Sequence, residues 1–417
     1  PPHSIALVGA LDRPATAKES DEMSKKSRSK IWFMVHSWLA LPIWFFVLIV
    51  CVTGTLATVS QEIVWLANPD IRAPKPSPDA ELLTLGQALE KVQRAEPDLK
   101  VLSLMRPDES HFALSARVSY PDGSSPTLYV NPYTGVIQGV SPQFDFRQFT
   151  RALHGWWLVP FTNGFSWGWY LVSLLGLPML ASLVTGLVVY KKFWKGFLTP
   201  RLRLRQGARV FWGDFHRLSG IWSIWFIAVI SITGTWFLLQ AVLFDNHISI
   251  STEGVPPVIA RDAVPRSESA TPPPQLNLDQ MIAEAVERVP SLDPKRVFLS
   301  GNAYSLTFVE GRGWYPLMDQ TVGVSPYDGD VGYVRLLEDR SKLEFVTESM
   351  RPLHTGDFGG LWVKLIWFFF GLLLSMMVLS GLLIWSKRTV TATAKALRKE
   401  RRANRYETEQ MPAETVA

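Results

Sequence analysis

From Ile31 to Gln61 the chain carries no Asp, Glu, Lys or Arg. A helix needs about 20 apolar residues to cross a bilayer, so this stretch reads as a membrane span around which the rest must be arranged. Three further apolar runs follow, roughly Trp167 to Tyr190, about Leu218 to Phe244 and about Leu361 to Trp385. The mean hydropathy is nevertheless only +0.10, so half or more of the chain belongs in water. Seventeen tryptophans suit a protein with extensive membrane interfaces.

The cations set the expected orientation. Lys25, Lys26, Arg28 and Lys30 abut the first run. Lys191, Lys192, Lys195, Arg201, Arg203, Arg205 and Arg209 follow the second with no acid among them, and Lys387, Arg388, Lys395, Arg398, Lys399, Arg401 and Arg402 follow the fourth. Lys and Arg gather on cytoplasmic loops. This predicts a multi-pass protein of the bacterial inner membrane with both termini in the cytoplasm and its soluble parts in the periplasm. A net charge of +5 placed this way needs no nucleic-acid partner. The single cysteine, Cys51, excludes an internal disulfide, an all-cysteine metal site and Cys-x-x-Cys-His haem attachment.

The expected boundaries are a cytoplasmic segment 1–30, a first span 31–61, a soluble segment 62–145 and a second span with its approach at 146–190. A basic loop 191–212, a third span 213–244, a soluble segment 245–345, a fourth span with its approach at 346–386 and a cytoplasmic tail 387–417 complete the chain. Residues 1–22 read as a vector-derived remnant or a disordered extension, with Met23 as a natural start. Each soluble segment runs from a helical pattern (Leu85 to Ala95; Leu278 to Val289) into alternating stretches (HFALSARVSY, PTLYV; VFLSG, YSLTFVE) and a Pro and Gly turn (Asn131 to Gly135; Ser325 to Gly329). Both read as small α+β domains.

The spans themselves repeat. His36 precedes Thr53-Gly54-Thr55 and His216 precedes Thr233-Gly234-Thr235, and both histidine to glycine intervals are 18 residues (54 − 36 and 234 − 216). Arg151-Ala-Leu-His154 and Arg351-Pro-Leu-His354 each sit just before a returning span, and those spans carry Thr185-Gly186-Leu187 and Ser380-Gly381-Leu382. An all-α four-helix membrane bundle with internal duplication follows, with one histidine from each half at each of two depths. An ionisable residue in such a segment marks a functional site by default. Two imidazoles across a bundle suit six-coordinate haem iron, whose macrocycle leaves two axial positions. His36, His216, His154 and His354 are therefore the candidate axial ligands of two haems. Arg151, Arg351, Arg209 and Arg217 are the candidate partners of the haem propionates, and Asp214 and Asp357 candidate partners of the nearby histidines. Thr-Gly-Thr on its own is ordinary helix packing, Arg-x-x-His also fits snorkelling cations, and His3, His111 and His247 have no counterpart in the repeat.

The stretches Val130 to Gly139 and Val324 to Tyr333, the His36 to Gly54 span with its repeat, and Leu379 to Trp385 resemble the PepSY-associated transmembrane family, within it most closely the inner-membrane ferric-siderophore reductases of the FoxB kind. The resemblance runs from about Ser29 to Arg388. It implies two periplasmic PepSY-like domains, haem b, ligation by the same four histidines and reduction of periplasmic iron chelates, a hydroxamate-type ferric siderophore among them. The electron donor would be a quinol or a cytoplasmic reductase. Trp156, Trp157, Trp314 and Tyr315 are the candidate docking surface for the chelate. The alternatives are a quinol-linked membrane cytochrome with a non-iron acceptor and a non-catalytic PepSY peptide-binding membrane protein.

Overall fold

The computed structural model describes residues 28, 30–39, 41–190, 193–251, 254–269 and 272–410, with several side chains beyond 387 excepted. Expectations for residues 1–27, His3, Met23, Lys25, Lys26, Lys191, Lys192 and the last seven residues lie outside the described residues. In chain order the elements are α1 (30–39), α2 (Trp44–Thr58), α3 (Ser60–Ala67), α4 (Leu85–Ala95), β1 (Lys100–Met105), β2 (Leu114–Ser119), β3 (Thr127–Val130), β4 (Ile137–Val140), α5 (Phe146–Trp156), α6 (Trp167–Leu174), α7 (Gly176–Val189), α8 (Phe193–Leu198) and α9 (Ala208–Trp222). The chain continues with α10 (Ile224–Asp245), α11 (Leu278–Arg288), β5 (Asp293–Phe298), β6 (Thr307–Arg312), β7 (Asp319–Val324), β8 (Val331–Arg335), α12 (Lys342–Thr355) and α13 (Gly360–Gln410).

Four helical stretches are long and apolar enough to cross a membrane: Lys30–Thr58, Trp167–Val189, Ile224–Asp245 and Gly360–Lys387. They lie on the four runs read from the sequence, and the protein is a membrane protein with a separate α/β sheet region. The first is interrupted by a 3-10 turn at Leu41–Ile43, beside Pro42. A proline removes a backbone donor and tightens or breaks a helix there. The fourth continues as α13 to Gln410, where the sequence suggested only a tail.

The chain divides into two compact units. One takes in the chain up to Trp44, Pro178–Ile224 and the chain from Met377; the other is Phe45–Leu177 with Trp225–Met376.

In the second unit the two soluble segments form a single layer. All eight strands join one antiparallel sheet in the order β4-β3-β2-β1-β5-β6-β7-β8. The seam is β1 against β5, with Leu104 opposite Val297. The two segments, read from the sequence as two domains, therefore share one sheet. Helices α4 and α11 start in the same way: Thr84 with Gln87, and Asn277 with Gln280, close reciprocal capping boxes. The Asp279 carboxylate then ties the two starts together, accepting from Thr84 Oγ1 (2.5 Å) and Gly86 N (2.9 Å). Leu85, Ala88 and Val92 of α4 and Leu278, Met281 and Ala285 of α11 share one buried cluster with Leu104, Leu128, Val297 and Val322 of the sheet. Exclusion of that apolar surface from water, at about 25 cal/mol per Å², is the force that closes the seam.

Near the first turn of α13, Lys364 is buried and meets Glu62 of α3 at 3.0 Å and Glu109 at 3.6 Å. A charge buried this deeply persists only when paired.

Candidate cofactor site

The four histidines singled out in the sequence form two pairs, one in each unit. In the first unit the rings of His36 (α1) and His216 (α9) have centroids 6.3 Å apart and planes at 75°. In the second, His154 (α5) and His354 (α12) lie 5.9 Å apart with planes at 38°. The remaining described histidines do not join them: His111 packs on Trp65 and Phe112, and His247 holds a left-handed backbone after α10.

Every one of the four rings has its Nδ1 engaged. His36 Nδ1 lies 3.0 Å from Thr185 Oγ1, whose proton goes to the Ala181 carbonyl at 2.8 Å. The hydroxyl oxygen is thus the acceptor, and His36 carries its hydrogen on Nδ1. His354 Nδ1 is 2.7 Å from Thr233 Oγ1, which donates to Val229 O at 2.6 Å. His154 Nδ1 donates to the Val50 carbonyl at 2.9 Å. His216 Nδ1 donates to Met377 O at 3.1 Å and lies 3.0 Å from Ser380 Oγ. The hydrogen-bond network assigns one tautomer to all four rings and leaves Nε2 as the nitrogen with a free lone pair. A metal-ligating histidine is held in this way, its second nitrogen donating to an oxygen that fixes the ring.

Both rings of the second pair are neutral. Burial pushes the His154 imidazole below its ordinary range. Burial, then His154 and Arg351, push that of His354 down to about 3.

The spans' glycines sit against these rings. A Cβ on Gly186 would lie 3.4 Å from His36 Cε1, and one on Gly381 would lie 3.4 Å from His216 Cε1. At Gly54 it would come within 2.6 Å of His154 Cε1, closer than atoms tolerate. Gly234 serves a different contact, for a Cβ there would lie 3.8 Å from Gly176 Cα.

The donor set decides what such pairs can hold. Each pair offers two nitrogens, and among the described residues no group of three or more His, Cys, Asp or Glu forms a site for a bare ion. Two axial nitrogens fit a metal that brings its own equatorial ligands, as a metalloporphyrin does.

A family model described as PepSY-associated TM region matches residues 33–388. The chain belongs to that family. Among curated proteins, the uncharacterised protein PA4219 of Pseudomonas aeruginosa is similar, at 24% identity over 249 residues. That alignment covers 54% of this chain and 60% of the relative, so the chain spans less than two thirds of the relative's length.

The cations and acids distribute differently from the sequence-based expectation. Arg151 and Arg351 stand close enough to repel each other, with Arg147 adding to the positive field; burial, then these neighbours, push the Arg151 pKa below its ordinary value. In the first unit Arg217 is spent on Asp214, which also accepts from Arg203 Nε at 2.8 Å and Nη2 at 2.9 Å. Asp214 therefore anchors the basic loop and does not bond His216. Asp357 does not bond His354 either, because its carboxylate faces Lys364 at 3.9 Å.

The residues that hold the histidines were present in the sequence as a pattern. A hydroxyl residue precedes glycine in each span (Thr53-Gly54, Thr185-Gly186, Thr233-Gly234, Ser380-Gly381). Three of those hydroxyls bond a histidine, whereas Thr53 turns back to Ile49 O at 2.7 Å and leaves the Val50 carbonyl to His154. Within each half the service is reciprocal: the second span's Thr185 holds His36 and the first span's Val50 and Gly54 border His154, and the third and fourth spans repeat the exchange through Thr233 and Ser380.

Proposed function

We propose that this PepSY-associated membrane protein binds two b-type haems, one at each histidine pair, and carries electrons across the bacterial inner membrane to a periplasmic ferric siderophore. The observation that carries this reading is that four histidines from four different helices all hold their hydrogen on Nδ1 and pair at 6.3 and 5.9 Å.

The His36–His216 pair belongs to the cytoplasmic side and the His154–His354 pair to the periplasmic side, the assignment that the basic loops favour. On that topology the eight-stranded sheet is periplasmic. The matching helix and strand order of the halves, with their reciprocal histidine contacts, supports an internal duplication.

When bound, haem supplies a one-electron couple between ferric and ferrous iron. The chain's own residues hold and tune it. Thr185, Ser380, Thr233 and the Val50 carbonyl fix the imidazoles and raise their basicity. Arg151 and Arg351 offer charge to propionates at the periplasmic level. Siderophores of this kind hold ferrous iron far more weakly than ferric iron, so one electron per chelate releases the metal.

Purified protein tests the reading directly. A Soret band that sharpens on dithionite, two haems per chain by pyridine haemochrome, and reoxidation by a ferric hydroxamate with ferrous iron trapped by a chromogenic chelator are expected. A colourless, folded preparation that stays colourless after haem addition overturns it.

A further inference from the structure

A cavity of about 640 Å³ lies within the second unit, bounded by α6, α10, α12 and strands β6 to β8. Its volume falls in the range of about 300–1,000 Å³ typical of small-molecule sites. One wall is aromatic, built from Phe161, Trp169, Phe237 and Phe244. Phe237 also packs on the His354 ring, centroids 5.2 Å apart, and Arg351 and Pro352 line the cavity from the turn of α12 that carries His354. The cavity therefore shares a wall with the second histidine pair.

Its charge is nearly balanced. Arg335 and Arg340 line it, but Glu344 and Glu348 already hold the first at 3.2 and 2.9 Å and Glu348 the second at 2.6 Å. Asp245, Glu310 and Asp319 add negative charge against the single further cation Arg351. Asp245 accepts from the Tyr170 hydroxyl, and Glu310 pairs with Arg296. Thr347 Oγ1, on the α12 wall, is buried with no hydrogen-bond partner among the described residues. A polyanion would find no surplus of positive charge here. A neutral or singly positive ligand with apolar arms would meet aromatic faces and an unused hydroxyl.

We propose that this cavity is the acceptor site, and that it selects ferric chelates of zero or single positive charge over multiply negative ones. The proposal rests on the reductase reading for its purpose, but not for its test. The four residues named on the sequence for docking are not its lining: Trp156 and Trp157 pack on Phe161 and Phe46, and Trp314 meets Tyr315 edge-on.

Gallium(III) has the charge of ferric iron and is not reduced under these conditions, so binding of its chelates is measured apart from electron transfer. Titration of the full-length protein in detergent with a neutral gallium(III) tris-hydroxamate, followed by calorimetry and tryptophan quenching, is expected to give saturable binding. The trianionic gallium(III) tris-catecholate is expected to bind about tenfold or more weakly. Ala241→Trp, which fills the cavity from α10, and Thr321→Arg, which adds charge from β7, are each expected to weaken the neutral chelate about tenfold or more. Equal binding by wild type and both variants, tighter binding of the trianion, or no binding of the neutral chelate overturns the proposal. Haem content measured on the same samples separates the two readings. Chelate binding without haem refutes the redox function and leaves the cavity assignment standing, and haem without cavity-dependent binding does the reverse.

Discussion

The His36–His216 and His154–His354 pairs are made of the same parts and differ in what presses on them. Each has two imidazoles held through Nδ1. The first is braced by two side-chain hydroxyls and the Met377 carbonyl, and a Cβ on Gly186 or Gly381 would lie 3.4 Å from a ring. The second is braced by one hydroxyl and one backbone carbonyl, with Gly54 pressed against one ring and Phe237 against the other. The second borders the cavity of about 640 Å³ through Phe237. The first pair therefore has the more nearly equivalent surroundings, and the second the more asymmetric ones. A carbonyl brace cannot be removed by side-chain substitution, so His154 and, in part, His216 should resist it, whereas His36 and His354, each held by a threonine hydroxyl, should not.

The largest expected effect tests whether the pairs are separate sites. His216→Ala and His354→Ala should each halve the haem recovered, and the double variant should contain almost none. Pyridine haemochrome content decides this, and unchanged content in His216→Ala breaks the assignment of that residue. Next come the glycines. Gly54→Ala places its methyl group 2.6 Å from His154 Cε1 and should displace the ring, costing the second pair most of its haem, whereas Gly186→Ala and Gly381→Ala, at 3.4 Å, should retain most of theirs. Equal losses in all three would remove the asymmetry.

A smaller effect is expected from the braces. Thr185→Val and Thr233→Val leave one Nδ1 hydrogen unpaired and should weaken haem retention about 10- to 100-fold, the range for lost outer-shell partners. Thr53→Val should do neither, because its hydroxyl serves its own helix. Haem transfer to apomyoglobin measures all three. The subtlest test is spectroscopic. Planes at 75° should give the first pair a more anisotropic low-spin electron paramagnetic resonance signal than planes at 38° give the second. Indistinguishable signals would show that binding equalises the two.

Much of this site was legible in the chain. A lone histidine in an otherwise charge-free run stands out because desolvating it is costly, and the repeated interval of 18 residues linked His36 with His216. Helices α4 and α11 were legible too, through apolar periodicity behind a capping residue. Four strands were not singled out. β1, β4, β7 and β8 carry glycines or polar residues, as in IQGV and DQTVGV, and β1 also takes a partner, β5, from the other soluble segment. Asp214 was noticed as a neighbour of His216, but its bonds go to Arg203 and Arg217 instead.

The sequence by itself determined four apolar helices, their basic flanks and one histidine in or just before each, because hydropathy and charge act locally and can be counted along the chain. Only the tertiary structure decided which histidines meet, which nitrogen each keeps free, that two soluble segments share one sheet through β1 and β5, and that a cavity opens beside His354. Those outcomes depend on contacts between residues up to some 200 positions apart, and an imidazole's tautomer is set by the oxygen that happens to face it, which no local pattern specifies.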